Sequence, residues 1–452
     1  MSILEKVLSY SKKIGIDECE VVVVKKNITT IRITDSEIVE VKQNFDEKYG
    51  IRIIHQKKIT SIQTTDNQNI EKTIDGSFKT ISNFKPREFW RGLPYKISAK
   101  KIEGVFDEKL KEVSGKDAMD IAQDMINSAN NKKVNTITGS LNIVSEDFQL
   151  RNSHGLEHDD KATYISGIIN AESEQSTIPV SGIGHASGRT LSNFSKEQIG
   201  EDAKIMCVES INPQKIESGT YPIIFEPYSV GELLAFVVAS NFNFKTFTEK
   251  KSCFSNKLDK EIGVKQFNLM DDPHSPEGIG TKSIDDEGVE TQKKYFVEKG
   301  IFKNTFSNLF DGYKEGKEST GNASRPGSPM GRSSEPIPVS LPHNLKIDSG
   351  DTSQEDMIKD TKRGLLVGRL WYTYAVNPIK GDFSCTARSG IRVIENGEIK
   401  NPGKTVRIIH NLPTMLKNIS EIGNNQRNVI QWASLPSITP SIKVENITVN
   451  SI

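Results

Sequence analysis

The chain lacks any long apolar run. The most apolar stretch, Leu233–Ala239, falls far short of the roughly 20 residues that span a bilayer. The opening Met-Ser-Ile-Leu-Glu-Lys lacks a signal peptide's apolar centre and cleavage site, so a cytoplasmic protein is expected. Charge of one sign is also missing. The 59 basic and 59 acidic residues cancel, leaving neither a basic footprint for nucleic acid nor an acidic tail. Only four cysteines occur, Cys19, Cys207, Cys253 and Cys385. Without a CxxC pair they read as free thiols in a reducing compartment. No internal repeat is found, and the glycine-rich segment 321–332 has no Gly-Lys-Ser/Thr ending, which excludes a phosphate-binding loop of the P-loop kind.

What is present is an alternation of helix and strand patterns over 452 residues, enough for two or three domains. Ile3, Leu4, Val7, Leu8 and Ile14 mark a first amphipathic helix, with Gly15 as its stop. Strands are predicted at 20–25, 29–34, 38–42, 51–55 and 59–64, then a helix bearing Ile70, Ile74, Phe78 and Ile81. This gives an N-terminal α/β domain, residues 1–85. Residues 85–103 read as a connector anchored by Phe89, Trp90 and Tyr95. A middle α+β domain, 105–212, has helices at 118–129 and 196–208 and strands at 134–146, 163–171 and 179–185. A large β-rich C-terminal domain, 217–452, completes an α+β fold. In it Tyr221–Phe225 reads as a buried strand and Pro227 as its break. Ser229 would cap a core helix carrying Leu233, Leu234, Phe236, Val237 and Val238, apolar nearly all round and therefore buried. Residues 320–342, rich in glycine and proline, read as an exposed or site-covering loop. Glu395-Asn396-Gly397-Glu398 signals a hairpin.

Candidate chemistry is sparse. His154 and His158, four apart with Glu157 between them, could share a metal on a helix. Their polar, glycine-containing surroundings fit a hairpin turn better. Cys385 and His410 could form a thiol–imidazole pair. Asp285, Asp286 and Glu287 lack the alternating spacing of a calcium loop and read as a solvated turn. Arg325 and Arg332 could meet a carboxylate or phosphate.

The ordered set Asp271-Asp272-Pro273, Gly278-Ile279-Gly280-Thr281, Asp285-Asp286-Glu287-Gly288-Val289, Thr320-Gly321-Asn322-Ala323, Gly364-Leu365-Leu366-Val367, Asn377-Pro378, Gly381-Asp382-Phe383-Ser384 and Ile394-Glu395-Asn396-Gly397-Glu398-Ile399 resembles the TldD/PmbA family of peptidase-related proteins. The resemblance extends over essentially the whole chain. It implies two branches. TldD-like members carry His-Glu-x-x-x-His on a helix, with a cysteine near the C-terminus, to hold a zinc-type ion. Laid on the core helix here, that motif falls on Ala235, Phe236 and Ser240, and no cysteine follows Cys385. The Asn377–Ser384 pattern looks more like the PmbA (TldE) branch, a metal-free partner of a TldD-like subunit.

The resemblance therefore implies a non-catalytic subunit of a TldD-type metallopeptidase complex acting on unfolded or modified peptides. No cofactor is expected in this chain. A zinc-type metal is expected in a TldD-like hetero-oligomeric partner, and an extended peptide as substrate. Asp285, Glu287, Asn322, Asn377 and Asp382 are expected to line the side facing partner or peptide, each with an alternative role satisfying its own turn. Two other readings stay open: a self-sufficient peptidase using His154, Glu157 and His158, and a homodimeric peptide-binding module.

Overall fold

A computed structural model describes residues 2–96, 100–431 and 435–452; residues 97–99 of the expected connector lie outside it. Helix α1 (Ile3–Lys13) opens with a reciprocal capping box between Ser2 and Glu5, which satisfies two of the free N-terminal amides. Three strands follow, β1 (Glu18–Thr34), β2 (Glu37–His55) and β3 (Lys58–Thr64), then α2 (Ile70–Thr80). The second unit comprises α3 (Glu108–Lys111), α4 (Gly115–Ala129), β4 (Thr136–Asn152), β5 (Glu157–Ser173), β6 (Val180–Gly188) and α5 (Lys196–Glu209). The separate strands expected at 20–25 and 29–34 are one strand. Lys26-Asn27 is no turn: neither residue breaks the ladder, and both pair with β2 and β4.

The units 1–85 and 105–212, separate by sequence, share a single antiparallel sheet ordered β3-β2-β1-β4-β5-β6. Because side chains alternate across a strand, β1 serves two layers. Its odd-numbered residues Val21, Val23, Ile31 and Ile33 pack under the four longer helices. Its even-numbered residues Val22, Val24 and Ile28 join clusters on the other face, where Ile279 and Met330 of the C-terminal half arrive. Helix α5 lies close on β6 because Gly182 and Gly184 carry no side chain. A Cβ at Gly184 would sit 1.8 Å from the Ile199 carbonyl oxygen.

The C-terminal half contains β7 (Gly219–Phe225), α6 (Pro227–Leu233), β8 (Leu269–Asp271), β9 (Lys294–Glu298), β10 (Ile301–Phe302), β11 (Ala323–Ser324), β12 (Val339–Ser340) and β13 (Leu345–Ile347). It ends with β14 (Arg363–Asn377), β15 (Asp382–Glu395), β16 (Glu398–Pro402), β17 (Val406–Asn411), β18 (Ile419–Ile422), β19 (Arg427–Val429), β20 (Ser437–Thr439) and β21 (Ile442–Ser451). The order β14-β7-β21-β17-β15 closes on itself through β14–β15 pairing, a small barrel filled by residues such as Phe225, Val367, Phe383 and Val444. Asn396-Gly397 turns β15 into β16, as its sequence predicts. A second sheet, β10-β9-β8-β13-β20-β19, carries the phenylalanine cluster around Phe242, Phe296 and Phe302.

The core helix differs from expectation. Its N-cap is Glu226, with Pro227 at the first helical position, where proline's missing N–H is not needed. The Ser229 hydroxyl instead donates to the Glu226 and Val367 carbonyls. After Leu233 the backbone widens into a π-type turn over Leu234–Val238 and tightens to a 3₁₀ turn at Ala239–Phe242. Val237 and Val238 are buried, but Phe236 is 37% exposed. The apolar run is thus one-sided, because the π-type turn changes the angular step and swings Phe236 away from the core.

Candidate functional site

The bulk of the charged chemistry lies where the six-stranded sheet meets the C-terminal half. Strand pairing sets Glu20 opposite Arg52 and Lys26 opposite Glu146, all on the face turned toward the barrel side. Arg52 bridges Glu20 (2.8 Å) and Glu287 (2.6 Å). Arg325 reaches Glu20 at 2.5 Å. Arg332 contacts Asp286 (3.0 Å), Glu146 (3.3 Å) and Asp160 (2.7 Å). Asp285, Asp286 and Glu287 are fully buried, so the expected solvated turn is corrected. Burial opposes ionisation of Asp286, but Lys282 and Arg332 hold its carboxyl well below the usual carboxylate range. Burial, with the Glu287 charge, pushes Asp285 up to about 7. Asp285 accepts from the amides of Glu287, Val289 and Ala323.

The segment 320–342 is likewise not an exposed loop. Arg325 and Arg332 are buried, and the segment runs as a plug between the two halves, exchanging its glycine and proline backbone turns for buried ion pairs. Asn322 donates to Asp271 (2.6 Å) and accepts from Lys294 (2.6 Å). Asp285, Glu287 and Asn322 therefore face the chain's own interior. Asn377 and Asp382 are half-buried at the tip of the β14–β15 hairpin. There Asn377 accepts from the Lys380 amide and Asp382 from Asn411. Val376 and Ile379 beside them are well exposed.

His154 occupies the β4–β5 turn, with Nδ1 2.8 Å from the Leu93 carbonyl and its ring stacked on Tyr95. His158 stands on β5 near Phe148, its basicity lowered first by burial and then by Arg332. Cys385 is enclosed in the barrel, its thiol pushed up by burial, while His410 lies edge-on to Phe383. No hydrogen bond joins Cys385 to His410. Among the described residues no group of three His, Cys, Asp or Glu is placed to hold a metal ion.

A different constellation forms beside α6. Glu232, Phe236, Arg369, Trp371 and Thr373 line a cavity of about 260 Å³. Next to it, a cleft of about 690 Å³ runs between β4–β6 and the barrel, lined among others by Asn142, His185, Tyr228, Arg369, Trp371 and Arg388. Both volumes are near or within the range of about 300–1,000 Å³ typical of ligand sites. Glu232 is buried and accepts the Leu370 amide at 2.6 Å. Burial pushes its carboxyl up to about 8, against that amide and Arg369. The β14–β15 ladder shifts register twice here, with the extra residue on β15 beside Arg369 and on β14 after Trp371, and Tyr372 takes φ +48°. Bulges near functional sites re-aim side chains. Arg369, Trp371 and Arg388 are not legible as a site from the sequence, since nothing local marks two strand arginines as neighbours.

A family assignment follows from comparison with known proteins. Residues 218–451 match the PmbA/TldA metallopeptidase C-terminal domain and residues 19–81 match PmbA/TldA metallopeptidase domain 1. The chain belongs to the PmbA/TldD metallopeptidase family. It is 25% identical to the metalloprotease PmbA of Escherichia coli O157:H7, over 95% of this chain and 92% of that one. It is also 25% identical to a metalloprotease TldD homolog of Buchnera aphidicola, over 57% and 53%. Its fold is that of TldE from Thermococcus kodakarensis, at a TM-score of 0.90 and 24% identity over 99% and 100% of the two chains.

Proposed function

We propose that this chain is the PmbA/TldE-like, metal-free subunit of a TldD-type metallopeptidase complex. In the cytoplasm it would help hold unfolded or modified peptides for a partner carrying a zinc-type metal. The observation that carries this reading is the composition of the π-type and 3₁₀ turns that follow α6. At the positions where the TldD branch has His, Glu and His stand Ala235, Phe236 and Ser240, and Phe236 turns its ring toward the cavity. Zinc needs imidazole, thiolate or carboxylate donors. A methyl, a phenyl and a hydroxyl do not fit it. The one nearby carboxyl, Glu232, keeps its proton through neutral pH under the same burial. Asn377 and Asp382, with exposed Val376 and Ile379, supply a hairpin tip that a partner could cover.

The test is reconstitution. Alone, the protein should lack stoichiometric zinc or iron and leave unfolded peptides intact. With a TldD-like subunit it should form a stable hetero-complex and change peptide cleavage. Absence of association by light scattering, with the partner equally active alone, would remove the subunit reading. About one metal per chain, lost on substitution of His154 and His158, would favour a self-sufficient peptidase instead.

A further inference from the structure

Strand β15 bulges by one extra residue opposite Arg369 and Leu370. Arg369 pairs with Ser389 and Leu370 with Ala387, so Arg388 has no cross-strand partner. That breaks the alternation and lets Arg388 share the side of Arg369. Both guanidiniums lie against one indole, at 4.2 Å for Arg369 and 5.3 Å for Arg388 from the Trp371 ring centre.

Neither arginine has a carboxylate within ion-pair distance among the described residues. Arg369 is only 5% exposed, and its Nε makes no hydrogen bond among the described residues. The Trp371 Nε1 and the His185 Nε2 in the same cleft are also buried without partners among the described residues. Buried polar groups are almost always hydrogen-bonded, so such a cluster calls for a missing acceptor. Other buried arginines have acceptors for their charge: Arg52 and Arg332 each meet two or three carboxylates, and Arg189 donates to the Gly278 and Thr281 carbonyls. Of the acidic groups at the cleft and the adjoining cavity, Glu172 is exposed and bonded by Asn170, and Glu232 is committed to Leu370.

We propose that Arg369 and Arg388, with the Trp371 and His185 ring nitrogens, form a carboxylate subsite that anchors an extended peptide in the cleft. The planar guanidinium fork matches a carboxylate bidentately. The opposite wall offers Ser140, Asn142, Ser166 and Asn170, short polar groups suited to a peptide main chain of any sequence. The carboxylate comes either from the peptide's C-terminus or from an acidic side chain. The inference rests on the peptide-holding reading above.

The experiment measures fluorescence anisotropy of three dye-labelled decapeptides on the full chain. The first has a free C-terminus and no acidic side chain. The second is the same peptide amidated. The third is amidated with one central glutamate. The first or third should bind at least tenfold tighter than the second, and which of them does so identifies the carboxylate's source. The preference should shrink with added salt. Arg388→Gln, at an exposed position, should abolish it without loss of thermal stability, and Arg369→Lys should weaken it. Equal binding of all three peptides, no binding of any, or a preference that survives Arg388→Gln would overturn the proposal. A hetero-complex that forms normally without a carboxylate preference would sink this subsite alone and leave the subunit reading standing.

Discussion

Replacing Arg52 by methionine should destabilise the protein by about 3 kcal/mol, the lower end of the cost of removing one partner from a buried ion pair. The lower end follows from what each carboxylate keeps. Glu20 retains Arg325 at 2.5 Å. Among the described residues Glu287 retains only the Leu309 amide at 2.9 Å, so most of the loss falls on Glu287. Burial already raises the Glu287 carboxyl, with Arg52 opposing; without Arg52 it rises further. A carboxyl raised in the folded state stabilises below its unfolded pKa, and that contribution is lost as pH climbs through the folded value. The cost of Arg52→Met should therefore be larger at pH 8 than at pH 5.5. Adding Glu287→Leu removes the stranded carboxylate and should recover most of the loss. Urea unfolding, followed by tryptophan fluorescence and far-ultraviolet circular dichroism, measures all three proteins at both pH values. A single variant within about 1 kcal/mol of the parent at pH 8, below the range for a broken buried pair, would refute the reasoning. So would a double variant no more stable than the single.

Glu232 titrates in the same sense. With its carboxyl raised from 4.5 to about 8, it should take stability away as pH rises across that window. Glu232→Gln should flatten the fall in melting temperature between pH 6 and pH 9, and a variant that follows the parent's profile would exclude Glu232 as the cause. Phe236→Ala should cost only about 1 kcal/mol, well under the roughly 3–5 kcal/mol of a fully buried phenylalanine, because the ring is 37% exposed. Ser240→Ala should leave both melting temperature and peptide cleavage by the complex unchanged. A loss of cleavage with Ser240→Ala would mean this wall carries a site of another kind.

Much of the local structure is determined by the sequence. Helices α1, α2 and α4 announce themselves by 3.6-residue periodicity, because that signal lies within a few residues. The Asn396-Gly397 turn is legible for the same reason, and so is family membership, which resides in the order of short motifs. What β1 would pair with was not legible. Alternation reveals that a strand has two faces, not which neighbour covers them, so only the fold joins the two N-terminal units into one sheet. The Asp285–Glu287 run looks like a solvated turn until strands from the other half arrive. Its compensating charges, Arg52 and Arg332, come from strand pairing and a distant plug, and Glu20 meets Arg325 across 305 residues. The exposure of Phe236 depends on a π-type turn that apolar spacing does not encode. The closeness of Arg369 and Arg388 to one indole depends on a bulge set by cross-strand register. Desolvation and register are properties of what surrounds a residue, and only the tertiary structure supplies the surroundings.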